Sequence, residues 1–378
     1  MVKQGFYILT VAILFIAGFA NGQDILNKKT SKDNIRHIIY LIGDAGHPEN
    51  DAIEVFELLK EQVRSEGVKS TVVFLGDNIY PGGMPDKDEK GRAEAERILD
   101  YQLEELKKLD IKLYYIPGNH DWNKGKMNGI SHVRNEEKYI EKYMDEVNVF
   151  IPTKGCPGPV KIKIGKNILM YAIDTQWWMH PFEKPPIESA DCIVSNKEEF
   201  IGELRDELIN HKNKNIIVVG HHPIYSDGNH GGYFQFNDHL FPLRVINKDL
   251  YIPIPIVGSI YPIYRSTYGH ITDIIHPEYQ NLIHGLEEAF KGIDGLIYAA
   301  GHEHTLQYYK KENQHFIVSG SGSETTYSSG KNGAEFSDSH KGLFKVIYKK
   351  DGSIDMQVWE TDEVETGKLV FEKRIKEK

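Results

Sequence analysis

The sequence predicts a protein of the α+β class, and three features of the chain support this prediction. Apolar runs of strand length alternate with amphipathic helical patterns between residues 38 and 219. After Gly301 the apolar runs follow one another without helical patterns between them. Asp351-Gly352 separates the last two runs and is a strong signal for a tight antiparallel hairpin. We therefore expect mixed α and β structure first and antiparallel strands afterwards.

Four helices are expected in the first part of the chain. In residues 50–65, apolar side chains recur at spacings of three and four, as at Val55, Leu59 and Val63, which predicts an amphipathic helix. The other helices are expected over residues 88–109, 135–146 and 196–209. Strands are expected over residues 38–42, 72–75, 113–117, 216–219, 294–300, 306–309, 314–319, 344–349 and 354–360, with a hairpin over 160–164 and 168–173.

The N-terminal residues predict a signal peptide instead of part of the fold. Lys3 precedes an unbroken apolar stretch that ends in the small residues Ala20 and Gly22. We expect residues 1–22 to be cleaved, which leaves 23–378 as a single domain of a secreted or periplasmic protein. A retained membrane anchor is the alternative, but the apolar stretch is short for a span. No membrane span is therefore expected in the mature chain.

Charge, cysteine content and one unusual segment narrow the prediction further. The formal net charge of −10 argues against a nucleic-acid surface, which needs a basic patch. Cys156 and Cys192 are the only cysteines, and the sequence leaves open whether they pair. Residues 231–280 are rich in Tyr, Phe, Pro and Ile and interrupt the rhythm of strands and helices. We expect an insert there, which either packs on the domain surface or roofs a pocket.

Five predicted strands end in the same way, with a glycine followed at once by a polar residue that can bind metal. A glycine lets the backbone turn tightly or approach a ligand closely. Open α/β sheets place their sites at the carboxyl ends of strands, so these loops are expected to meet. The loops begin at Gly43-Asp44, Gly76-Asp77, Gly118-Asn119, Gly220-His221 and Gly301-His302.

The donor groups of these loops favour a binuclear metal centre. Six donors are too many for one structural zinc ion, which prefers four ligands, but they suit two ions about 3.5–4 Å apart with a bridging carboxylate. Oxygen and imidazole donors without thiolates favour Fe, Mn or Zn. Such a centre activates a bound water for phosphoester hydrolysis. The six donors are Asp44, Asp77, Asn119, His221, His302 and His304.

The ordered loop motifs resemble those of the calcineurin-like metallophosphoesterase superfamily. They read Gly-Asp-x-Gly, Gly-Asp-x-x-Tyr, Gly-Asn-His-Asp, Gly-His-His-Pro and Gly-His-x-His, and the resemblance extends over residues 36–323. Tyr80, three residues after Asp77, resembles the purple acid phosphatases, and the short tartrate-resistant type most of all. The resemblance implies a two-sheet β-sandwich flanked by helices, with the metals at one edge of the sheets.

The resemblance also implies separate ligand sets for two ions. A ferric ion would be held by Asp44, Tyr80 and His304. A second, divalent ion, which could be Fe, Zn or Mn, would be held by Asn119, His221 and His302. Asp77 would bridge the two ions. The implied activity is hydrolysis of phosphomonoesters by attack of a metal-bound hydroxide on a small phosphorylated substrate.

Three further residues are expected to take part in catalysis. His120 resembles the phosphate-binding histidine of the family, and Asp121 could orient its ring. His230 lies nine residues after His221, the offset at which the tartrate-resistant type places a histidine that touches substrate and could protonate the leaving group. A solvated loop histidine is the alternative for His230. His222 has no ligand role in the pattern.

Two alternative functions stay open at this point. The first is a phosphodiesterase or nucleotide hydrolase of the same superfamily, because the metal ligands do not distinguish monoesters from diesters. The second, less favoured, is a non-catalytic surface protein that binds metal. The presence of His120, Asp121 and His230 argues against the second, since a structural metal site needs no additional protonatable groups.

Overall fold

Two mixed β-sheets flanked by helices form the protein in the computed structural model, which describes residues 34–47, 52–185, 191–245, 249–362 and 367–378. The predicted signal peptide lies outside these residues. The α+β fold class predicted from the sequence is confirmed. In the described part of the chain no helix is long and apolar enough to cross a membrane.

The first sheet combines three N-terminal strands with three C-terminal ones, in the order β13-β12-β11-β1-β2-β3. Strands β1, β2 and β3 are parallel to one another, and β11 pairs antiparallel to β1. The sheet therefore joins the two ends of the described chain. The strands are β1 Ile35–Ile42, β2 Ser70–Phe74, β3 Ile111–Tyr115, β11 Gly342–Lys349, β12 Ile354–Glu360 and β13 Lys368–Lys376.

The second sheet has the order β10-β8-β9-β7-β6-β5-β4. Strands β5, β6, β7 and β9 are parallel, while β4 pairs antiparallel to β5 as the predicted hairpin. The strands are β4 Val160–Gly165, β5 Ile168–Ala172, β6 Asn215–Val219, β7 Ile297–Ala300, β8 Leu306–Lys311, β9 Gln314–Ser319 and β10 Phe336–Asp338.

Apolar side chains from both sheets form one core layer between them. Leu41 and Val73 of the first sheet belong to the same cluster as Val219 and Ala299 of the second. Alternate residues point the opposite way, so Tyr40 packs in the other cluster, beneath the helices. Strands buried on both faces consist of continuous apolar runs, and these runs are the pattern from which the strands were predicted.

Helices cover the outer faces of the sheets, and all four predicted helices are present. The third begins at Gly129, six residues earlier than predicted. The helix at Pro277–Phe290 was not predicted, although Pro277 stands in its first turn and buried Tyr279, Leu282 and Leu286 recur at helical spacing. The helices are α1 Ala52–Glu66, α2 Arg92–Lys107, α3 Gly129–Met144, α4 Thr175–Met179, α5 Lys197–Asn210, α6 Phe236–Leu240, α7 Ile260–Thr267 and α8 Pro277–Phe290.

The loops that follow β1 and β7 bring the edges of the two sheets into contact. The Gly43 N–H donates to the Ser319 carbonyl at 2.6 Å. A Cβ added at Gly43 would lie 2.9 Å from Cα of Gly301 and 2.8 Å from the Ser319 carbonyl oxygen. Only glycine permits this approach, so the first glycine of the repeated motif is required by contact between the sheets.

A disulfide joins Cys156 to Cys192, with an S–S distance of 1.99 Å. It links the segment before β4 to the segment before α5. The sequence left this pairing open, because spacing alone does not place two cysteines together. The two sulfurs are therefore unavailable as metal ligands.

Candidate metal centre

Four of the predicted ligands meet around one phenolic oxygen. The Tyr80 hydroxyl lies 3.0 Å from Asp44 Oδ1 and 3.2 Å from Asp77 Oδ2. It also lies 3.1 Å from Nε2 of His304. Asp44 and Asp77 are fully buried, and Tyr80 is buried as well. The structure therefore brings together the group of residues predicted to hold the ferric ion.

A second group of donors meets around the side-chain oxygen of Asn119. Asn119 Oδ1 lies 3.1 Å from His221 Nε2 and 2.9 Å from His302 Nδ1. Asp77 Oδ1 lies 3.4 Å from His221 Nε2. The two oxygens of Asp77 thus face different groups, with Oδ2 toward Tyr80 and Oδ1 toward His221. From this position the Asp77 carboxylate can reach both groups of donors.

Backbone carbonyl groups determine which ring nitrogen of two histidines faces the site. His221 Nδ1 donates to the Leu75 carbonyl at 2.7 Å, and His302 Nε2 donates to the Thr272 carbonyl at 2.8 Å. A carbonyl can only accept, so the nitrogen that contacts it carries the hydrogen. Nε2 of His221 and Nδ1 of His302 are therefore the nitrogens that face Asn119 and would bind a cation once they are unprotonated. Such hydrogen bonds commonly orient metal-binding imidazoles.

Three of these residues have left-handed backbone conformations that non-glycine residues seldom adopt. The φ angles are 58° at Asp44, 54° at Asp77 and 69° at His302. Strain of this kind costs on the order of 1–3 kcal/mol per residue and concentrates at functional sites. The Asp44 carboxylate compensates by accepting the backbone N–H of His302 at 2.7 Å. That bond joins a loop of the first sheet to a loop of the second.

The charges of the cluster fit metal binding. Burial would raise the pKa of Asp77, but His221 and His120 outweigh burial and hold that pKa below its usual range. Burial would lower the pKa of His221, but Asp77 outweighs it and raises that pKa to about 9. Burial, and next the nearby His230, lower the pKa of His302 well below its usual value. Neutral imidazoles and charged carboxylates are the forms that bind cations, so His302 and Asp77 are already in them, whereas His221 would release a proton when a cation binds.

Without a bound cation, the surroundings of Tyr80 oppose ionisation of its hydroxyl. Burial, and then the Asp44 carboxylate, raise the pKa of Tyr80 well above its usual value. A cation beside the oxygen would favour the phenolate and reverse this direction. At this site two clusters have ligand atoms within 4.8 Å of one another, Asp44 with Asp77 and His221, and His221 with His222 and His302. The donor set therefore fits two cations that bind oxygen and nitrogen.

His120 lies at the site, but its ring is oriented differently from the prediction. Its backbone N–H donates to Asp77 Oδ1 at 2.8 Å, and its ring lies against that of Tyr80, with centroids 4.2 Å apart and planes tilted by 60°. Ring Nδ1 contacts the Pro81 carbonyl at 2.9 Å. The prediction that Asp121 orients this ring is wrong, because the Pro81 carbonyl occupies that role.

Asp121 instead binds the backbone of the ligand loops. Its fully buried carboxylate accepts the N–H groups of Gly118 at 2.7 Å, Asp77 at 2.9 Å and Asn78 at 3.0 Å. Burial and the charge of Asp77 raise its pKa to about 8. Asn78 extends this network by donating to Glu136 at 3.0 Å. Sequence analysis missed Asn78 and Glu136, since nothing in their local pattern distinguishes them.

His230 is held beside the site by residues of the predicted insert. Its Nδ1 lies 3.0 Å from Asp273 Oδ1, and its ring centroid lies 4.0 Å from that of His302. Arg265 Nε donates to Asp273 Oδ2 at 2.8 Å. Buried Glu303 accepts the His230 backbone N–H at 2.8 Å. The insert therefore contributes directly to the site, and it is not only a surface excursion.

His222 packs behind the cluster and is bound to a hydroxyl. Its Nδ1 lies 2.8 Å from Thr175 Oγ1, and its ring centroid lies 4.5 Å from that of His302. Its Nε2 has no hydrogen-bond partner among the described residues. The structure thus places His222 next to two predicted ligands, although the sequence motif gives it no ligand role.

A cavity of about 290 Å³ opens onto both groups of donors. Its floor includes predicted ligands, and its wall combines residues from the loop after β3, from α4 and its flank, and from the insert. The side chains on the wall are His120, Lys124, Gln176, Met179, Pro181, His230, His270, Ile271 and Thr272. A small substrate can therefore reach the predicted metal ligands.

Comparison with known proteins shows which family and which solved structures this chain resembles. A sequence model of the calcineurin-like phosphoesterase family matches residues 37–252. No curated protein matches the chain significantly in sequence. Three similar solved structures are 18% identical or less, a level at which the likeness shows the fold alone.

The structural matches extend along most of the chain. GAP50, described as the anchor in the inner membrane complex of Plasmodium, is 18% identical with a TM-score of 0.53, over 90% of this chain and 88% of that one. Purple acid phosphatase PPD1 of yellow lupin is 13% identical with a TM-score of 0.51, over 89% of this chain and 53% of the lupin chain. PhoD is 11% identical with a TM-score of 0.51, over 88% and 68%.

Proposed function

Because the chain belongs to the calcineurin-like phosphoesterase family, we propose that it is a metal-dependent hydrolase of phosphomonoesters. The observation that carries this proposal is the position of Asp77, whose two carboxylate oxygens face two separate groups of donors. A metal site with only a structural role needs neither two groups of donors joined by a carboxylate nor an open cavity above them. A binuclear hydrolase needs the joined groups and the cavity.

The residues that would hold the two ions follow from the two groups. Asp44, Tyr80 and His304 would hold one ion, for which we propose iron in the ferric state. Asn119, His221 and His302 would hold a divalent Fe, Zn or Mn ion, and Asp77 would bridge. When bound, such a pair supplies a water nucleophile at neutral pH and stabilises charge on the attacking and leaving oxygens.

His120 is suited to bind the phosphoryl group of the substrate. Its ring lines the cavity beside Tyr80, and its Nε2 lies 3.8 Å from Asp77 Oδ2. The contact of Nδ1 with the Pro81 carbonyl fixes the plane of the ring. Nε2 is therefore the nitrogen available to a phosphate oxygen placed near the bridging carboxylate.

His230 is suited to protonate the leaving group. Asp273 accepts from Nδ1 of His230, which leaves Nε2 for the cavity that the ring lines. As the bond between phosphorus and the departing oxygen breaks, the proton on Nε2 would pass to that oxygen. A general acid of this kind typically contributes ~10²–10⁴-fold to the rate, most of all for basic leaving groups.

Phosphate release by the purified, metal-loaded protein tests the proposal. We expect hydrolysis of p-nitrophenyl phosphate at a higher kcat/KM than of bis-p-nitrophenyl phosphate, together with two metal ions per chain by elemental analysis. Preference for the bis-ester would instead establish a phosphodiesterase. Two bound ions with no turnover of either ester would overturn the proposal in favour of a non-catalytic metal-binding protein.

A further inference from the structure

Lys124 places an unpaired positive charge on the wall of the cavity. It belongs to the single turn Asn123–Gly125, and its backbone N–H donates to the Asn119 carbonyl at 2.8 Å. The turn is thus fixed to the loop that carries a predicted metal ligand. Within the described ranges, the Lys124 ammonium makes neither a hydrogen bond nor an ion pair, although its side chain lines the cavity.

Gln176 places an unsatisfied amide on the same wall. It lies in α4 and is only 5% exposed, yet its Oε1 has no hydrogen-bond partner in the described part of the chain. Buried amide groups are almost always hydrogen-bonded, and leaving one unpaired is unfavourable. A Cβ added at Gly125 would lie 3.6 Å from Gln176 Nε2, so the amide is adjacent to the turn that carries Lys124.

The other side chains of the cavity do not neutralise Lys124. Among the described residues that line it, the only carboxylate is Asp77, which is a predicted metal ligand. The whole chain has a formal net charge of −10, so its average field repels anions. His120 already faces the place of the transferred phosphate beside Asp77, so Lys124 is a second cationic group on the wall that is available to another anion of the substrate.

We propose that Lys124 and Gln176 form a subsite for the part of the substrate that is not transferred, and that this part carries a second anionic group next to a hydroxyl. The inference rests on the proposed phosphomonoesterase activity. Lys124 pairs with the second anion, which is a carboxylate or another phosphate. The side-chain amide of Gln176, which lines the same wall, hydrogen-bonds to the hydroxyl.

Three substrates on one carbon skeleton test this subsite. Glycerol 3-phosphate has no second anion, 3-phosphoglycerate adds a carboxylate, and glycerol 1,3-bisphosphate adds a phosphate. We expect kcat/KM to be about tenfold higher for at least one of the two substrates with a second anionic group than for glycerol 3-phosphate. This is the size of effect expected for one hydrogen bond to a charged group. The better of the two identifies the anion.

Variants assign the preference to these side chains. Lys124→Met should bring kcat/KM for the preferred substrate close to kcat/KM for glycerol 3-phosphate. The change should come mainly from a higher KM for the preferred substrate. Lys126→Met is the matched control, because Lys126 is also exposed but does not line the cavity, and it should keep the wild-type ratio of these two kcat/KM values. Gln176→Met should weaken use of 3-phosphoglycerate more than of 3-phosphonooxypropanoate, which lacks the hydroxyl.

The outcomes separate this inference from the proposed function. Turnover of p-nitrophenyl phosphate with equal kcat/KM for all three glycerol substrates overturns the subsite and leaves the phosphatase intact. If no ester is hydrolysed, calorimetric titration of 3-phosphoglycerate into the metal-loaded protein decides the subsite alone. Equal affinity of the wild type and Lys124→Met in that titration overturns it as well.

Discussion

The two sheets contribute chemically different halves of the candidate site. Loops of the first sheet carry oxygen donors, on Asp44, Asp77, Tyr80 and Asn119, whereas loops of the second carry imidazoles, on His221, His302 and His304. Neither sheet alone presents both donor types. The candidate metal centre is therefore a property of the contact between the sheets, and its geometry depends on how closely their edges meet.

Hydrogen bonds fix that contact close to the donors themselves. His302 N–H binds the Asp44 carboxylate at 2.7 Å, and His221 Nδ1 binds the Leu75 carbonyl at 2.7 Å. Each bond joins a residue of one sheet to a loop or strand end of the other. A change that separates the halves should consequently remove metal, whereas a change confined to one half should leave part of the site intact.

The largest effect is expected from Asp77→Asn, because Asp77 is the oxygen donor that faces both groups. A neutral amide cannot bridge two cations as a carboxylate does. We expect turnover to fall by more than about a hundredfold, beyond the effect of losing an outer partner of a metal ligand, with loss of bound metal. Normal metal content and normal turnover in this variant would show that the two halves do not share a bridge.

His230→Ala tests the imidazole half without replacing a predicted ligand. We expect kcat to fall by ~10²–10⁴ on an alkyl phosphate, the range of a general acid, and by much less on p-nitrophenyl phosphate, whose leaving group needs little protonation. Metal content serves as the control and should match the wild type. Equal losses on both substrates would remove the general-acid role from His230.

Asp273→Asn tests whether the insert holds His230 in place. Asp273 contacts His230 Nδ1 and the Arg265 guanidinium, and it is buried. Loss of such an outer partner typically costs 10–100-fold, so we expect roughly that loss in kcat on alkyl phosphates. Asp273→Glu should recover part of the loss. If Asp273→Asn lowers activity equally on good and poor leaving groups, its role is structural.

Gly43→Ala tests the contact between the sheets directly. The added Cβ would meet the Ser319 carbonyl oxygen at 2.8 Å, so the sheets must separate locally. We expect weaker metal binding and a loss of about 1–3 kcal/mol in the free energy of unfolding, as for other overpacked sites. Gly202→Ala in α5 is the control, since nothing lies within 4 Å of that position. Equal stability of both variants would contradict the close contact.

The smallest change in activity is expected from Tyr80→Phe, which tests the oxygen half alone. A phenolate bound to ferric iron absorbs visible light by charge transfer, so iron-loaded, oxidised protein should be pink to purple. Tyr80→Phe removes one hydroxyl and should bleach that band while the fold stays intact by circular dichroism. Colourless wild-type protein under the same conditions would show that Tyr80 is not an iron ligand.

The sequence by itself determined the loops, most strands and four helices. Their signals are local, because a glycine before Asp44 or His302 and the period of an apolar run need no knowledge of distant residues. The strands β10 and β13 and the helices α4, α6, α7 and α8 were not predicted. Within each sheet, the gathering of predicted ligands also followed from local pattern, since parallel strands end at one edge.

Only the tertiary structure decided what surrounds the ligands. Asp273 reaches His230 across 43 residues and the Thr272 carbonyl reaches His302 across 30, and neither pairing has a local signature. Asp121 was assigned to its neighbour His120, but it binds the backbone of loops that come from two different strands. Sequence patterns report which residues can bind metal, because that is set by side-chain chemistry. Packing between distant segments decides which partners orient those residues. These partners were therefore determined only by the contact between the two sheets.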